Sequence, residues 1–330
     1  AHFGKFKNPA NAPVRPPIIP MKERTKPEAL VVTDDEATNT FVQVYNYVKP
    51  VKPVKTWAGY RESIIEGLVS SLVGQRLSEL TQKENPPFVF ANTSFSQFIR
   101  GYSTFSSFAM IGQGTVQDAV DALISETNRA RQFGFLQTEF DRAKASLLNG
   151  AEKAFNEKDK SESGQVVWQY VNNYLQGSPI PGVEHRYKFL QQVLPTITLA
   201  EVNAVAKKMP GTENAFALIQ APTKEKSKLP DNQGVLNALV AANKKTVTAF
   251  EEKAVAEKLL DKEPAGGKIA SETKNEKIGT TDITLSNGVT VTLKPTTYKN
   301  DEILMDAWRW GGFQKFDIAD KENAQYSANI

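Results

Sequence analysis

Residues 134–209 read GFLQTEFDRAKASLLNGAEKAFNEKDKSESGQVVWQYVNNYLQGSPIPGVEHRYKFLQQVLPTITLAEVNAVAKKM. Phe140, Ala143, Leu147, Ala151 and Phe155 recur at three- and four-residue steps and predict the apolar face of one helix; Val167, Tyr170, Val171, Tyr174 and Leu175 predict that of a second. Between them, Asn156 to Ser163 is charged and polar, with Glu157, Lys158, Asp159, Lys160 and Glu162. Neighbouring carboxylates can share acid and base work, but alternating charges at a helix end predict a solvated surface. Gly177 and Pro179 end the helical pair, and Thr198-Leu199-Ala200-Glu201 is a capping box that opens a short helix towards Met209. Ala215 to Gln220 reads as a buried closing strand.

Towards the N-terminus, Thr115-Val116-Gln117-Asp118 opens another capped helix, with Ala119, Ala122, Leu123 and Thr127 on one side. Phe88 to Ala91 and Tyr102 to Ile111 predict strands, as do Ala29 to Thr33 and Thr40 to Tyr47. Ile64, Ile65, Leu68, Val69, Leu72, Val73, Leu77 and Leu80 predict a long helix with one broad core face, stopped by Pro86-Pro87. The first 27 residues hold Pro9, Pro13, Pro16, Pro17, Pro20 and Pro27, which denies them both helix and hydrogen-bond ladder. They predict an extended strap draped over a neighbour.

Towards the C-terminus, residues 231 to 260 predict further helix, with Val235, Leu239, Val240, Val255, Leu259 and Leu260 facing inward. Pro264-Ala265-Gly266-Gly267 and the polar run to Thr280 break all periodicity and mark a boundary. Ile283 to Leu293 alternates around Asn287-Gly288 and predicts a hairpin with a type I′ turn. Trp308 and Trp310 lie in a stretch too short to cover them, so they await partners or form an aromatic ledge. Helices and strands mix without regular βαβ alternation, and the fold class expected is α+β, a layered mixed or antiparallel sheet packed against helices.

The T-E-F-D-R-A-K helix, the N-E-K-D-K-S-E-S connection, the G-S-P-I-P-G-V-E turn and the L-P-T-I-T-L-A-E-V-N helix start, in this order, resemble the second domain of the M16 zinc metallopeptidases, the pitrilysin, insulysin and mitochondrial processing peptidase family. L-S-N-G-V-T-V-T-L-K-P, followed by Lys299 to Ile303 and Gly311-Gly312, resembles the opening of a half of such a protein. The resemblance implies four segments: 1–27, a strap after a zinc-bearing domain that would end in a phrase like His2-Phe3-Gly4-Lys5-Phe6; 28–261, the second, non-catalytic domain; 262–280, a connector and hinge between halves; and 281–330, the start of a third domain.

Family members hold zinc in an H-x-x-E-H motif, two imidazoles one helical turn apart with a carboxylate between them to activate water. That motif is absent here: the sequence has two histidines, His2 and His185. Glu184-His185 follows Pro181, which stands where a first histidine would be and offers no ligand atom. No catalytic and no metal-ligating residue is therefore expected, and zinc is expected only in the whole protein. The implied function is chamber wall and support in a zinc-dependent endopeptidase, with a peptide substrate and the protein's own catalytic first domain and fourth domain as partners. The alternatives are an inactive peptide-binding or scaffolding relative, or an unrelated α+β binding module.

Bulk composition fits these readings. Net charge is +3 with both signs interspersed, which argues against a nucleic-acid partner. Absence of cysteine excludes disulfides, thiolate metal sites and a cysteine nucleophile. No apolar run approaches the roughly 20 residues of a membrane helix. Ala1 opens no charged and apolar leader, and the resemblance, closest to exported bacterial members, suggests a periplasmic or exported location.

Overall fold

A computed structural model describes residues 4–7, 9–14, 16–51, 53–252, 262, 265–300 and 302–326. The chain divides into two compact units, Ala1–Pro264 and Ala265–Ile330. Its class is α+β, with a mixed sheet packed against helices.

In the first unit, β1 (Glu28–Asp34), β2 (Thr40–Pro50), β3 (Phe90–Ile99), β4 (Tyr102–Ile111) and β5 (Phe216–Pro222) form one sheet in the order β1-β5-β2-β4-β3. β5 closes the sheet from inside rather than at its rim, parallel to β1 and antiparallel to β2. Alternation sets the register: Val42 and Val44 of β2, Ala217 and Ile219 of β5, and Phe105 and Ala109 of β4 are all fully buried. A bulge between Tyr45 and Tyr47 breaks the β2–β4 ladder at Asn46, whose amide donates to the Gly211 carbonyl at 3.0 Å.

Helix α1 (Trp57–Leu80) starts where the Thr56 hydroxyl accepts from the Gly59 amide at 3.1 Å. The predicted stripe from Ile64 to Leu77 is buried, and α1 packs on β3. The helix ends at Leu80, well ahead of Pro86-Pro87, because the Thr81 hydroxyl and amide take up the Ser78 carbonyl. Both predicted capping boxes are present, Thr115 with Asp118 opening α2 (Val116–Phe133) and Thr198 with Glu201 opening α6 (Leu199–Lys207).

Between α2 and α6 run α3 (Gln137–Asn156), α4 (Ser163–Gln176) and α5 (Val183–Val193). The partner of α3 is α5, through Leu190, Val193 and a Tyr187 ring stacked 5.1 Å from Phe155. This corrects the predicted pairing of α3 with α4: no residue of α4 is buried, and Val167 and Tyr170 are 55% and 61% exposed. Sequence proximity lost to packing, since the turn after Gly177 lets α5 fold back onto the same face.

Helix α7 (Asn232–Lys244) also falls short of its expected reach to residue 260. Val235 and Leu239 are buried as predicted, whereas Val240 is 44% exposed; Val255, Leu259 and Leu260 lie outside the described residues. The β-branched run Thr246-Val247-Thr248 leaves the helix and carries Phe250 onto the Arg76 guanidinium, 4.4 Å from its ring centroid.

Arg76 is the largest charged side chain in the core, 2% exposed. Its Nε and Nη2 donate to the two carboxylate oxygens of Glu139 at 2.8 and 2.7 Å, Nη2 also donates to the Gly134 carbonyl at 3.0 Å, and Phe135 covers its other face. Glu139 in turn accepts from the Leu136 amide at 2.8 Å and so caps α3. Gly134, at φ 72°, packs where a Cβ would lie 2.7 Å from Asn203, so only glycine fits this joint.

In the second unit, β6 (Ile269–Asn275), β7 (Thr280–Leu285) and β8 (Thr290–Leu293) form an antiparallel sheet in that order, followed by α8 (Lys321–Tyr326). Strand β6 occupies part of the segment read as a connector over 262–280: its charged residues pair through backbone, which periodicity does not report. The hairpin lies where predicted, but its turn is not type I′. No described non-glycine residue has positive φ; Ser286, Asn287 and Gly288 form a three-residue loop, with Gly288 at φ 83° donating to the Leu285 carbonyl at 2.9 Å.

Removing one partner of the buried ion pair strands the other without water. Glu139→Ala is expected to cost about 3–5 kcal/mol of stability in urea unfolding, with the double replacement Arg76→Met and Glu139→Leu costing less. At the surface, Arg61 and the Thr198 cap hold the Glu201 carboxyl at about 2, below its ordinary 4.5. Its contribution is thus complete above about pH 4.5 and is lost as pH falls towards 2. The urea midpoint of the unsubstituted chain should exceed that of Glu201→Gln near neutrality and converge with it through that acid window.

Candidate functional site

His2 lies outside the described residues, and His185 is exposed in the first turn of α5. Its neighbour Glu184 is engaged by Lys158, whose ammonium also lies 4.8 Å from the Phe155 ring centroid. That contact holds the Glu184 carboxyl below its ordinary value and the Lys158 ammonium above its own. The charged connection 157–162 therefore serves as an ionic link to α5, and no group of three or more His, Cys, Asp or Glu able to hold a metal occurs among the described residues.

One concavity of the first unit, about 410 Å³, is lined by the far ends of β2 and the β3–β4 hairpin together with α1. The bulge at Asn46 rotates Tyr47 towards it; α1 contributes Glu66, the hairpin contributes Phe95 and Arg100, and the end of α4 contributes Leu175. The strap passes along its rim. Arg100 donates to the Pro16 carbonyl, the Tyr102 hydroxyl accepts from the Met21 amide at 2.7 Å, and Ile18 forms part of the wall. Residues 16–24 thus lie extended across the hairpin, as the proline spacing predicts.

Burial pushes the Glu66 carboxyl up, against a partial opposing pull from Lys49. Burial likewise raises the Tyr47 hydroxyl, opposed by the same Lys49, whose ammonium rests 5.0 Å from the Tyr47 ring centroid. The cavity is therefore amphipathic, apolar on most of its wall with one carboxylate. Sequence reasoning missed it, since Glu66 reads there only as a polar position on an amphipathic helix. Its walls come from five helices and strands and the strap, and nothing in their spacing announces that they meet.

No family model matches the chain. All 330 residues align at 22% identity with a protein named zinc protease PQQL-like from Arabidopsis thaliana, covering 31% of that relative. Among solved structures, the periplasmic protease PqqL from Escherichia coli superposes with a TM-score of 0.64 at 20% identity, over 87% of this chain and 32% of PqqL. An insulinase family protease from Yersinia pestis follows at 0.58 and 15%, over 73% of this chain and 51% of that one. The chain is thus similar in sequence to proteins named zinc proteases and shares the fold of these solved proteases. It spans about a third of the length of the curated relative that it matches from end to end.

No described helix is long and apolar enough to cross a membrane. EDTA is expected to leave the thermal midpoint of the purified chain unchanged, and His185→Ala to leave its zinc content unchanged. Stoichiometric zinc lost on replacing His185 would overturn this.

Proposed function

We propose that this chain is the non-catalytic middle part of an M16-like zinc-dependent endopeptidase: strap 1–27, second domain 28–261, connector from 262 and the start of a third domain from 281. It forms chamber wall and support around a peptide that a separate H-x-x-E-H domain hydrolyses with zinc-bound water. The catalytic first domain and a fourth domain are its partners in the whole protein. The observation that supports this most is the end-to-end alignment with a third of a zinc protease, in a sequence with two histidines and no H-x-x-E-H.

We place the whole protein in an exported, periplasm-like compartment, on the strength of the likeness to a protein described as periplasmic. Incubated with zinc and a library of fluorogenic peptides, the purified 330-residue chain should show no hydrolysis. A longer polypeptide carrying an upstream H-x-x-E-H should cleave them and lose that activity to a chelator. Zinc-dependent cleavage by this chain alone overturns the proposal. Binding without cleavage by the longer polypeptide would instead assign it to a scaffolding role.

A further inference from the structure

Glu66 differs in its contacts from other carboxylates whose titration the fold shifts. Glu201, Glu184 and Glu252 each have a cation in contact, whereas no hydrogen bond or ion pair reaches the Glu66 carboxylate among the described residues. Half-burial without a partner costs free energy, and here it happens at the wall of a cavity of ligand size, since pockets run from roughly 300 to 1,000 Å³. We propose that this cavity is a subsite for a cationic side chain, Lys or Arg, carried by an extended peptide. The proposal deepens the reading of the chain as a peptidase component and rests on it.

The wall chemistry fits a long cation. Val54, Phe95, Leu175 and Pro179 offer apolar surface to an aliphatic stem, while Glu66 accepts from the head. An extended chain already follows the rim: the strap runs past with its Pro16 carbonyl held by Arg100 and Ile18 turned into the wall. The charged groups facing Glu66 are mixed, with Glu62 on its own helix, Lys49 on β2 and Arg100 on the hairpin. Together they carry one negative and two positive charges, which disfavours a second cation at long range, so discrimination comes from direct contact at Glu66. Lys49 is the internal competitor, near enough to pull on the carboxylate yet resting over Tyr47.

Titration of the zinc-free 330-residue chain with acetyl-Ala-Ala-Lys-Ala-Ala-amide, its norleucine counterpart and free putrescine, followed by calorimetry or NMR, tests this. The lysine peptide should bind about tenfold tighter than the norleucine peptide, which matches one charge-assisted contact. Glu66→Gln, isosteric and checked for folding by circular dichroism, should abolish that preference, and Lys49→Met should increase it. Equal affinity for the two peptides, an unchanged preference in Glu66→Gln, or putrescine binding as tightly as the lysine peptide overturns the proposal. Equal binding of both peptides would refute this subsite alone, because the hydrolysis assay on the longer polypeptide tests the parent reading without it.

Discussion

The bidentate contact between Arg76 and Glu139 constrains the first unit more than any other single interaction. It joins the C-terminal end of α1 to the first turn of α3, takes in the Gly134 carbonyl at the end of α2, and lies against the rings of Phe135 and Phe250. In this guanidinium, 2% exposed, Nε and Nη2 are matched by acceptors while the buried Nη1 has none, and the two carboxylate directions fix both the distance and the rotation of the helices. Apolar packing alone allows helices to slide by fractions of a turn. This fork does not.

From that fixed joint the rest follows by geometry. With α1 clamped to α3, the buried face of α1 is presented to β3, and Glu66, lying off that buried stripe, is left at the mouth of the cavity. The tail after α7 is drawn across by Phe250 and secured where the Thr138 hydroxyl donates to Glu252 at 2.6 Å. Helix α4, which joins neither this joint nor the sheet, ends with no buried residue despite its apolar side chains. An apolar stripe records a helix that is able to bury a face, and packing decides whether it does.

Much of the architecture was legible because local chemistry was consistent with the fold. The Thr115–Asp118 and Thr198–Glu201 boxes, the α1 stripe and the alternation of β2 and β4 each point to one local state. Misreadings arose where a remote partner outweighed local preference: Phe250 ended α7 early, α5 displaced α4 from α3, and backbone pairing made a strand of the polar segment Ile269–Asn275. The Asn287-Gly288 dipeptide signalled a turn correctly and its type wrongly, because Ser286 joined the loop and left Asn287 at negative φ.

By itself the amino-acid order determined the class of fold, the helix starts, the extended strap and the absence of an H-x-x-E-H motif, since each depends on residues a few positions apart. Only the tertiary structure decided which helices pair, where β5 enters the sheet and that Glu66 borders a cavity without a partner. Those outcomes depend on contacts between groups tens to hundreds of residues apart, set by the competition among many surfaces for burial, and no short window of sequence contains both sides of that competition.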